Sequence, residues 1–261
     1  ISQETIPSRK YFDEVQDFYQ KTTGKGVGYL TFKGEEEKGS LTKVLSDSEK
    51  QAIKVTLNGK DGIVFIAAGP NPDALLGLGK LRNKVGADFN LIEKGTYKFC
   101  WIVDFPMYER DEVTGEIVFS HNPFSMPQGG LESLNSKNPL DIRAWQYDVV
   151  CNGYELASGG IRNYSPEIMY KAFEITGYTK QQVDDQFGGM IKAFKFGAPP
   201  HGGMAYGIDR IVMLITEREA IRDVIVFPLA QTVEDLMMGA PSVVSEKQLM
   251  DIHVQIRKPL V

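Results

Sequence analysis

The chain has 261 residues, of which 42% are hydrophobic and 24% are charged, which is ordinary for a globular protein with one large core or two smaller ones. No run approaches the roughly 20 apolar residues of a membrane-spanning helix, so we expect no membrane partner and a cytoplasmic location. With a net charge of −5, any contact with nucleic acid must come from local basic patches, because the overall field repels phosphate.

The first third of the chain alternates between helix and strand patterns. Predicted helices at 11–19, 51–55 and 71–86 alternate with predicted strands at 29–32 and 62–68. Ser8 is a candidate cap for the first helix, and Ser46 with Glu49 forms a capping box before the second. Such alternation predicts a small α/β domain over residues 1–96, with helices packed on a small sheet.

From residue 97 the pattern changes to antiparallel hairpins, which predicts a second domain over residues 97–261. Predicted strand pairs are 98–109 with 116–120, and 142–151 with 154–162. Asn152-Gly153 between the last two strands is the strongest short hairpin signal. Later elements are predicted helices behind Ser165, behind the Thr179–Gln182 capping box and over 211–215, and a glycine-spaced strand before the last of these. The predicted fold class is α+β.

The two cysteines, Cys100 and Cys151, lie far apart and in strand-like surroundings. This spacing argues against a disulfide scaffold and against a cysteine metal site. We expect both residues to be buried thiols.

Two acidic residues near the Asn152-Gly153 turn are candidates for metal and nucleotide binding. If the turn has two residues, Val150 lies opposite Glu155, and Asp148 lies diagonally from Glu155 on the same sheet face. Two such carboxylates repel unless a hard cation shares them, and Mg²⁺ carried by nucleotide phosphates is the usual partner. The alternative is a solvated hairpin face with unpaired acids.

Arg162 adds a constraint on the second strand of this hairpin. It is seven residues beyond Glu155, an odd step that points two side chains of a regular strand to opposite faces. A β-bulge at Gly159-Gly160 would return Arg162 to the face of Glu155. We therefore predict a bulge at these glycines.

Residues 203–210 read GMAYGIDR, with small residues at alternate places and an arginine before a helix. Glycine permits close backbone approach, and the Arg210 guanidinium can stack on a base or hold phosphate oxygens. Taken alone, the segment also fits a tight strand-to-helix packing site with Arg210 in a surface salt bridge. It resembles the third signature motif of class II aminoacyl-tRNA synthetases. The resemblance implies an ATP site at Gly207, Ile208, Asp209 and Arg210.

Residues 148–162 resemble the corresponding strand of bacterial aspartyl-tRNA synthetases. The resemblance implies that Asp148 and Glu155 hold Mg²⁺ and ATP, with Glu155 and Arg210 as catalytic residues. It also implies that Arg162 binds the carboxylate of L-aspartate, a role that suits a bidentate fork.

His121 lies in the segment 119–124, behind 101–106, and both segments are similar to the same family. A lone histidine is more often structural, but in this family a histidine at this place lies over the amino-acid end of the substrate. His201 and His253 match no comparable role, and we expect them to be structural or exposed.

Residues 221–228 and 235–241 resemble the closing tail of the same catalytic domain, and residues 1–96 resemble the inserted GAD-type domain of the bacterial enzymes. The resemblance covers essentially the whole chain. It implies that aspartate and ATP react to aspartyl-adenylate, that tRNA(Asp) then accepts the aspartyl group, and that the full-length enzyme is a homodimer.

The sequence contains no first or second class II motif and begins at an isoleucine, so we expect a fragment that folds but forms no adenylate alone. Two alternatives stay open. One is an enzyme that also charges tRNA(Asn), and the other is a non-catalytic module that binds aspartate or associates with tRNA.

Overall fold

A computed structural model describes residues 1–2, 6–69 and 71–257. The chain forms two compact units, Ile1–Thr96 and Tyr97–Val261. The helices are α1 (Arg9–Thr23), α2 (Asp47–Thr56), α3 (Asn71–Asp88), α4 (Gly130–Ser136), α5 (Pro166–Ile175), α6 (Lys180–Lys195), α7 (Ile208–Ile215) and α8 (Glu246–Asp251). The strands are β1 (Gly28–Lys33), β2 (Glu36–Lys38), β3 (Gly62–Ile66), β4 (Phe99–Val103), β5 (Tyr108–Arg110), β6 (Ile117–Phe119), β7 (Gln146–Cys151), β8 (Tyr154–Ile161) and β9 (Gly202–Tyr206). Within the described ranges, no helix is both long and apolar enough to cross a membrane.

The first unit is a three-stranded antiparallel sheet, in the order β2-β1-β3, with helices packed on it. Helices α1 and α3 contribute the largest buried cluster, with Val15, Tyr19, Leu81 and Val85 almost fully inaccessible. Burial of each aliphatic side chain stabilises the fold by about 1.5–3 kcal/mol. The predicted capping box at Ser46 is present at the start of α2.

The second unit is built on a four-stranded antiparallel sheet in the order β4-β7-β8-β9, with a separate β5–β6 ribbon. Its core lies beside this sheet, where Tyr108 and Ile142 pack with Leu134 of α4 and Ala172 of α5. The Tyr108 hydroxyl donates a hydrogen bond of 3.0 Å to the Ala172 carbonyl oxygen. The mixture of helices and antiparallel sheets confirms the α+β prediction.

The single strand predicted over 98–109 is wrong, because the chain forms two strands there with different partners. Strand β4 pairs with β7, whereas β5 pairs with β6. Asp104 between them has a φ of 61°, which turns the backbone out of an extended path, and Pro106 follows. This break allows β4 to join the large sheet.

The prediction that both cysteines are buried is wrong for Cys100, which is exposed, whereas Cys151 is buried. Cys100 lies on β4, at the edge of the four-stranded sheet, and all five residues of this strand are exposed among the described parts of the chain. The sequence therefore indicated a strand around Cys100 without revealing that both faces of this strand are exposed.

The β7–β8 hairpin has the predicted turn and register, but its bulge lies elsewhere. Asn152 and Gly153 both have positive φ, as the turn requires, and Val150 pairs with Glu155. The next pair is Val149 with Ala157, so Leu156 is the extra residue of a bulge. The ladder is regular through the two glycines at 159–160, so the bulge predicted there is wrong in position. A bulge at Leu156 has the same consequence for the faces of Glu155 and Arg162.

Candidate active site

One cavity of about 860 Å³ lies in the second unit, on the face of the sheet that carries Asp148, hereafter the site face. It is formed by β7, β8, β9, the loop after β6 and helix α6, which contributes Met190 and Phe194. Four side chains singled out from the sequence line it: His121, Asp148, Glu155 and Arg162. The Leu156 bulge is what brings Glu155 and Arg162 to one face. The cavity therefore joins acidic and basic groups that are far apart in the sequence.

Asp148 and Glu155 form the acidic part of the cavity. Burial raises the pKa of Asp148 above its usual value; repulsion by Glu155 raises it further, and His121 lowers it. Because the raised pKa reports a carboxylate that is costly to ionise, a cation placed between the two groups would be stabilised. The position is well suited to a positively charged ligand.

Arg210 lies beside the cavity and is paired with Glu155. Its Nη1 donates a hydrogen bond of 2.9 Å to the Glu155 carbonyl oxygen and lies 3.6 Å from Glu155 Oε1. Both side chains are 45% exposed, so solvent screening makes this pair worth about 0–1 kcal/mol at most. The pair therefore matters for position: it holds the Arg210 guanidinium next to Asp148 and Glu155.

The start of α7 adjoins the cavity without lining it. The Gly207 N–H donates a hydrogen bond of 2.8 Å to the carbonyl oxygen of the bulged Leu156, which fixes the start of the helix against β8. Ile208 and Asp209 are exposed in the first turn. Of the residues predicted to bind ATP, only Glu155 is therefore part of the cavity wall.

Arg162 and His121 are basic residues that also line the cavity. Arg162 is half-buried and is held by a backbone bridge to Ser125 and by its N–H, which donates to the His201 carbonyl oxygen at 2.8 Å. The His121 ring packs edge-on against Phe105, with centroids 5.1 Å apart. These contacts fix the Arg162 backbone and the His121 ring without using the Arg162 guanidinium.

Gln146, Ser158 and His201 are among the residues that line the cavity without having been predicted as site residues. Gln146 is buried, and its Nε2 donates to Ser125 Oγ at 2.9 Å and to the Asn122 carbonyl oxygen at 3.1 Å, which ties the His121 loop to β7. The alternation from Asp148 back to Gln146 could have identified this residue. Placing Ser158 required the true position of the bulge, and placing His201 required the β8–β9 register.

Gly159 and Gly203 differ in the space that each leaves for a side chain. A Cβ on Gly159 would come within 2.2 Å of the Gly203 carbonyl oxygen and 2.8 Å of Met204 Cα, whereas a Cβ on Gly203 would meet nothing within 4 Å. We expect Gly159→Ala to push β8 and β9 apart and to destabilise the chain by about 1–3 kcal/mol, measured as the free energy of unfolding in urea.

Gly203→Ala is the matched control for this prediction. It adds the same methyl group toward the open cavity, so the free energy of unfolding should change by less than about 0.5 kcal/mol. Equal destabilisation by the two variants would contradict the close approach of β8 and β9 at Gly159.

Comparison with known proteins places the chain in a family. A family model described as tRNA synthetases class II (D, K and N) matches residues 4–231. The chain belongs to this class II tRNA synthetase family. Among similar members, the aspartate-tRNA(Asp/Asn) ligase of Erythrobacter litoralis (strain HTCC2594) is 56% identical over 97% of this chain. The ligases of the same name from Zymomonas mobilis and Rickettsia prowazekii (strain Madrid E) are 52% and 50% identical, each over 95% of it. The chain spans 42% of the length of each of these three synthetases.

Proposed function

We propose that the chain forms the aspartate site and part of the ATP site of an aspartate-tRNA ligase. The observation that carries this proposal is the single cavity that unites the Asp148–Glu155 pair with Arg162 and His121. A binding site for an acidic amino acid and a metal-bound nucleotide needs both kinds of group within reach of each other. The relatives, which are 50–56% identical to this chain, are named aspartate-tRNA(Asp/Asn) ligases, and this supports the same function.

Arg162 is the residue proposed to bind the aspartate carboxylate. Its guanidinium has the planar fork that matches a carboxylate with two parallel hydrogen bonds. His121 is proposed to lie over the amino-acid end of the substrate, where its ring is oriented by Phe105. Orientation of this kind accelerates a reaction between two bound substrates without any acid–base step.

The acidic end of the cavity is proposed to receive ATP with its magnesium. Among the described residues no three His, Cys, Asp or Glu side chains cluster as a metal site of their own. A pair of carboxylates suits Mg²⁺, which keeps several waters and is usually shared with substrate phosphates. When bound, Mg²⁺ neutralises phosphate charge. The segment 207–210, with Arg210 as a charged group, is proposed to face the nucleotide.

The proposed reaction has two steps. An oxygen of the aspartate α-carboxylate attacks the α-phosphorus of ATP, and the bond to the leaving pyrophosphate breaks, which forms aspartyl-adenylate. The 3′-terminal ribose of tRNA then takes the aspartyl group and AMP leaves. Glu155 and Arg210 contribute by holding and neutralising charge as it shifts at phosphorus.

The acceptor is proposed to be tRNA(Asp), with tRNA(Asn) as a second acceptor, because the relatives' names include both. We further propose that residues 1–96 are an inserted GAD-type domain and residues 97–261 a catalytic portion. The whole protein is proposed to act in the cytoplasm as a homodimer.

ATP–pyrophosphate exchange by the complete gene product tests the proposal. We expect exchange that depends on aspartate and Mg²⁺ and is at least about 100-fold weaker with asparagine, because the latter lacks the charge that Arg162 binds. Aminoacylation of separate tRNA(Asp) and tRNA(Asn) transcripts then identifies the acceptors. A purified protein that binds aspartate but supports no exchange would be a binding module, contrary to the proposal.

A further inference from the structure

We propose that His201 is a second recognition residue for the acidic amino acid, acting on the same carboxylate as Arg162. This inference rests on the proposed aspartate-tRNA ligase function. The position of His201 beside Arg162 is the first observation that supports it. Ile161 pairs with Gly202, and the Arg162 N–H donates to the His201 carbonyl oxygen at 2.8 Å, which extends the β8–β9 register by one step. His201 is therefore the cross-strand neighbour of Arg162.

Cross-strand neighbours point to the same face of a sheet, with Cβ atoms about 4.5–5.5 Å apart. Gly160 pairs with Gly203 and Ser158 with Ala205, and both pairs lie on the site face. Alternation along each strand puts Arg162 and His201 on that face as well. The cavity walls agree with this placement, since both residues line the cavity.

The orientation of the imidazole supports a ligand-binding role. Its Nδ1 lies 2.8 Å from the Pro199 carbonyl oxygen, a group that can only accept a hydrogen bond. Nδ1 must therefore carry the proton, and this contact fixes the ring. Nε2 is the ring atom left for a ligand. The His201 residue is exposed, so an incoming substrate can reach it.

A substrate carboxylate offers more acceptor sites than one arginine uses. Its two oxygens have about four lone-pair positions, of which a bidentate guanidinium takes two. With Nδ1–H donated to Pro199, Nε2 can donate to one of the remaining positions only in the imidazolium form, and a bound carboxylate next to the ring favours that form. The side-chain amide of asparagine carries no negative charge and presents N–H groups on one side, so it satisfies this pair of cations less well. His201 is therefore proposed to add to the preference for aspartate.

Steady-state exchange assays on the complete gene product test this proposal with His201→Ala and His201→Gln. We expect His201→Ala to raise KM for aspartate about tenfold or more, the effect of losing one charge-assisted hydrogen bond. The values of kcat and of KM for ATP should stay within about threefold of wild type, since the lost contact binds only the amino acid. Glutamine should recover part of the loss, because its amide N–H can donate from near the Nε2 position.

His253→Asn is the matched control, because His253 is an exposed histidine outside the cavity with a φ of 54°, which asparagine tolerates. It should leave KM for aspartate unchanged. An unaltered KM for aspartate in His201→Ala would overturn the proposal. So would a change in kcat, in KM for aspartate and in KM for ATP together, if His201→Gln recovered none of them. If His201→Ala does not fold, the KM of His201→Gln decides the question. Absence of exchange in the wild-type protein would instead refute the ligase function itself.

Discussion

Replacing Arg162 by alanine lowers kcat/KM for aspartate by about 100- to 1,000-fold in the complete gene product, as expected for loss of a charged partner in a partly desolvated site. The KM for ATP should change little, because Arg162 is proposed to bind only the amino acid and is four residues beyond Ser158, the β8 partner of Asp148. Arg162→Lys should recover only a small part of the loss. A lysine keeps the charge but cannot form two parallel hydrogen bonds to one carboxylate. Aspartate-dependent ATP–pyrophosphate exchange measures kcat/KM for aspartate and KM for ATP in each variant.

Arg218→Lys is the control for this series, since Arg218 is exposed and does not line the cavity. It should behave as wild type. Full activity of Arg162→Lys would show that charge alone suffices at this position, and the bidentate role would then be incorrect.

Replacing Asp148 by asparagine should raise the Mg²⁺ concentration needed for half-maximal exchange by about tenfold or more. The amide keeps the shape of the side chain but removes one of the two charges that would attract the ion. Glu155→Gln should act in the same direction. Because the two carboxylates would share one ion, the double variant should lose less than the sum of the single losses.

The same Asp148→Asn change should leave the fold at least as stable in the absence of nucleotide. Burial and Glu155 raise the pKa of Asp148 in the folded chain, so ionising it above its unfolded-state pKa costs folding free energy. At neutral pH asparagine removes that cost, and the urea midpoint should not fall. Asp141→Asn, at an exposed position, is the control for both measurements. A lower urea midpoint with an unchanged Mg²⁺ requirement would assign Asp148 a purely structural role.

Local signals predicted the elements that hold the site. The Asn152-Gly153 turn determines the register next to it, because both residues must adopt positive φ, and the pairing of Val150 with Glu155 follows directly. The capping box at Thr179 likewise predicted the start of α6, and both of its hydrogen bonds are present. Such signals depend on residues close in sequence, so one chain suffices to identify them.

The features that sequence patterns missed depend on contacts between distant segments. The carbonyl of the bulged Leu156 accepts a hydrogen bond from Gly207, a residue about fifty positions further along the chain, so this contact could not be read from the local sequence. The two glycines at 159–160 suggested a bulge, but Gly159 is required for close approach to β9. The site position of His201 follows only from the β8–β9 register, and the exposure of Cys100 follows from the edge position of β4.

A crystal structure of the complete gene product with a stable aspartyl-adenylate analogue, in which a sulfamoyl group replaces the phosphate, would show whether aspartate and nucleotide bind in this cavity. We predict that the analogue occupies the cavity described above. Its aspartyl carboxylate should lie within hydrogen-bond distance of Arg162, and its sulfamoyl group should lie toward Asp148 and Glu155. An analogue bound on another surface, or one whose carboxylate does not contact Arg162, would contradict the account.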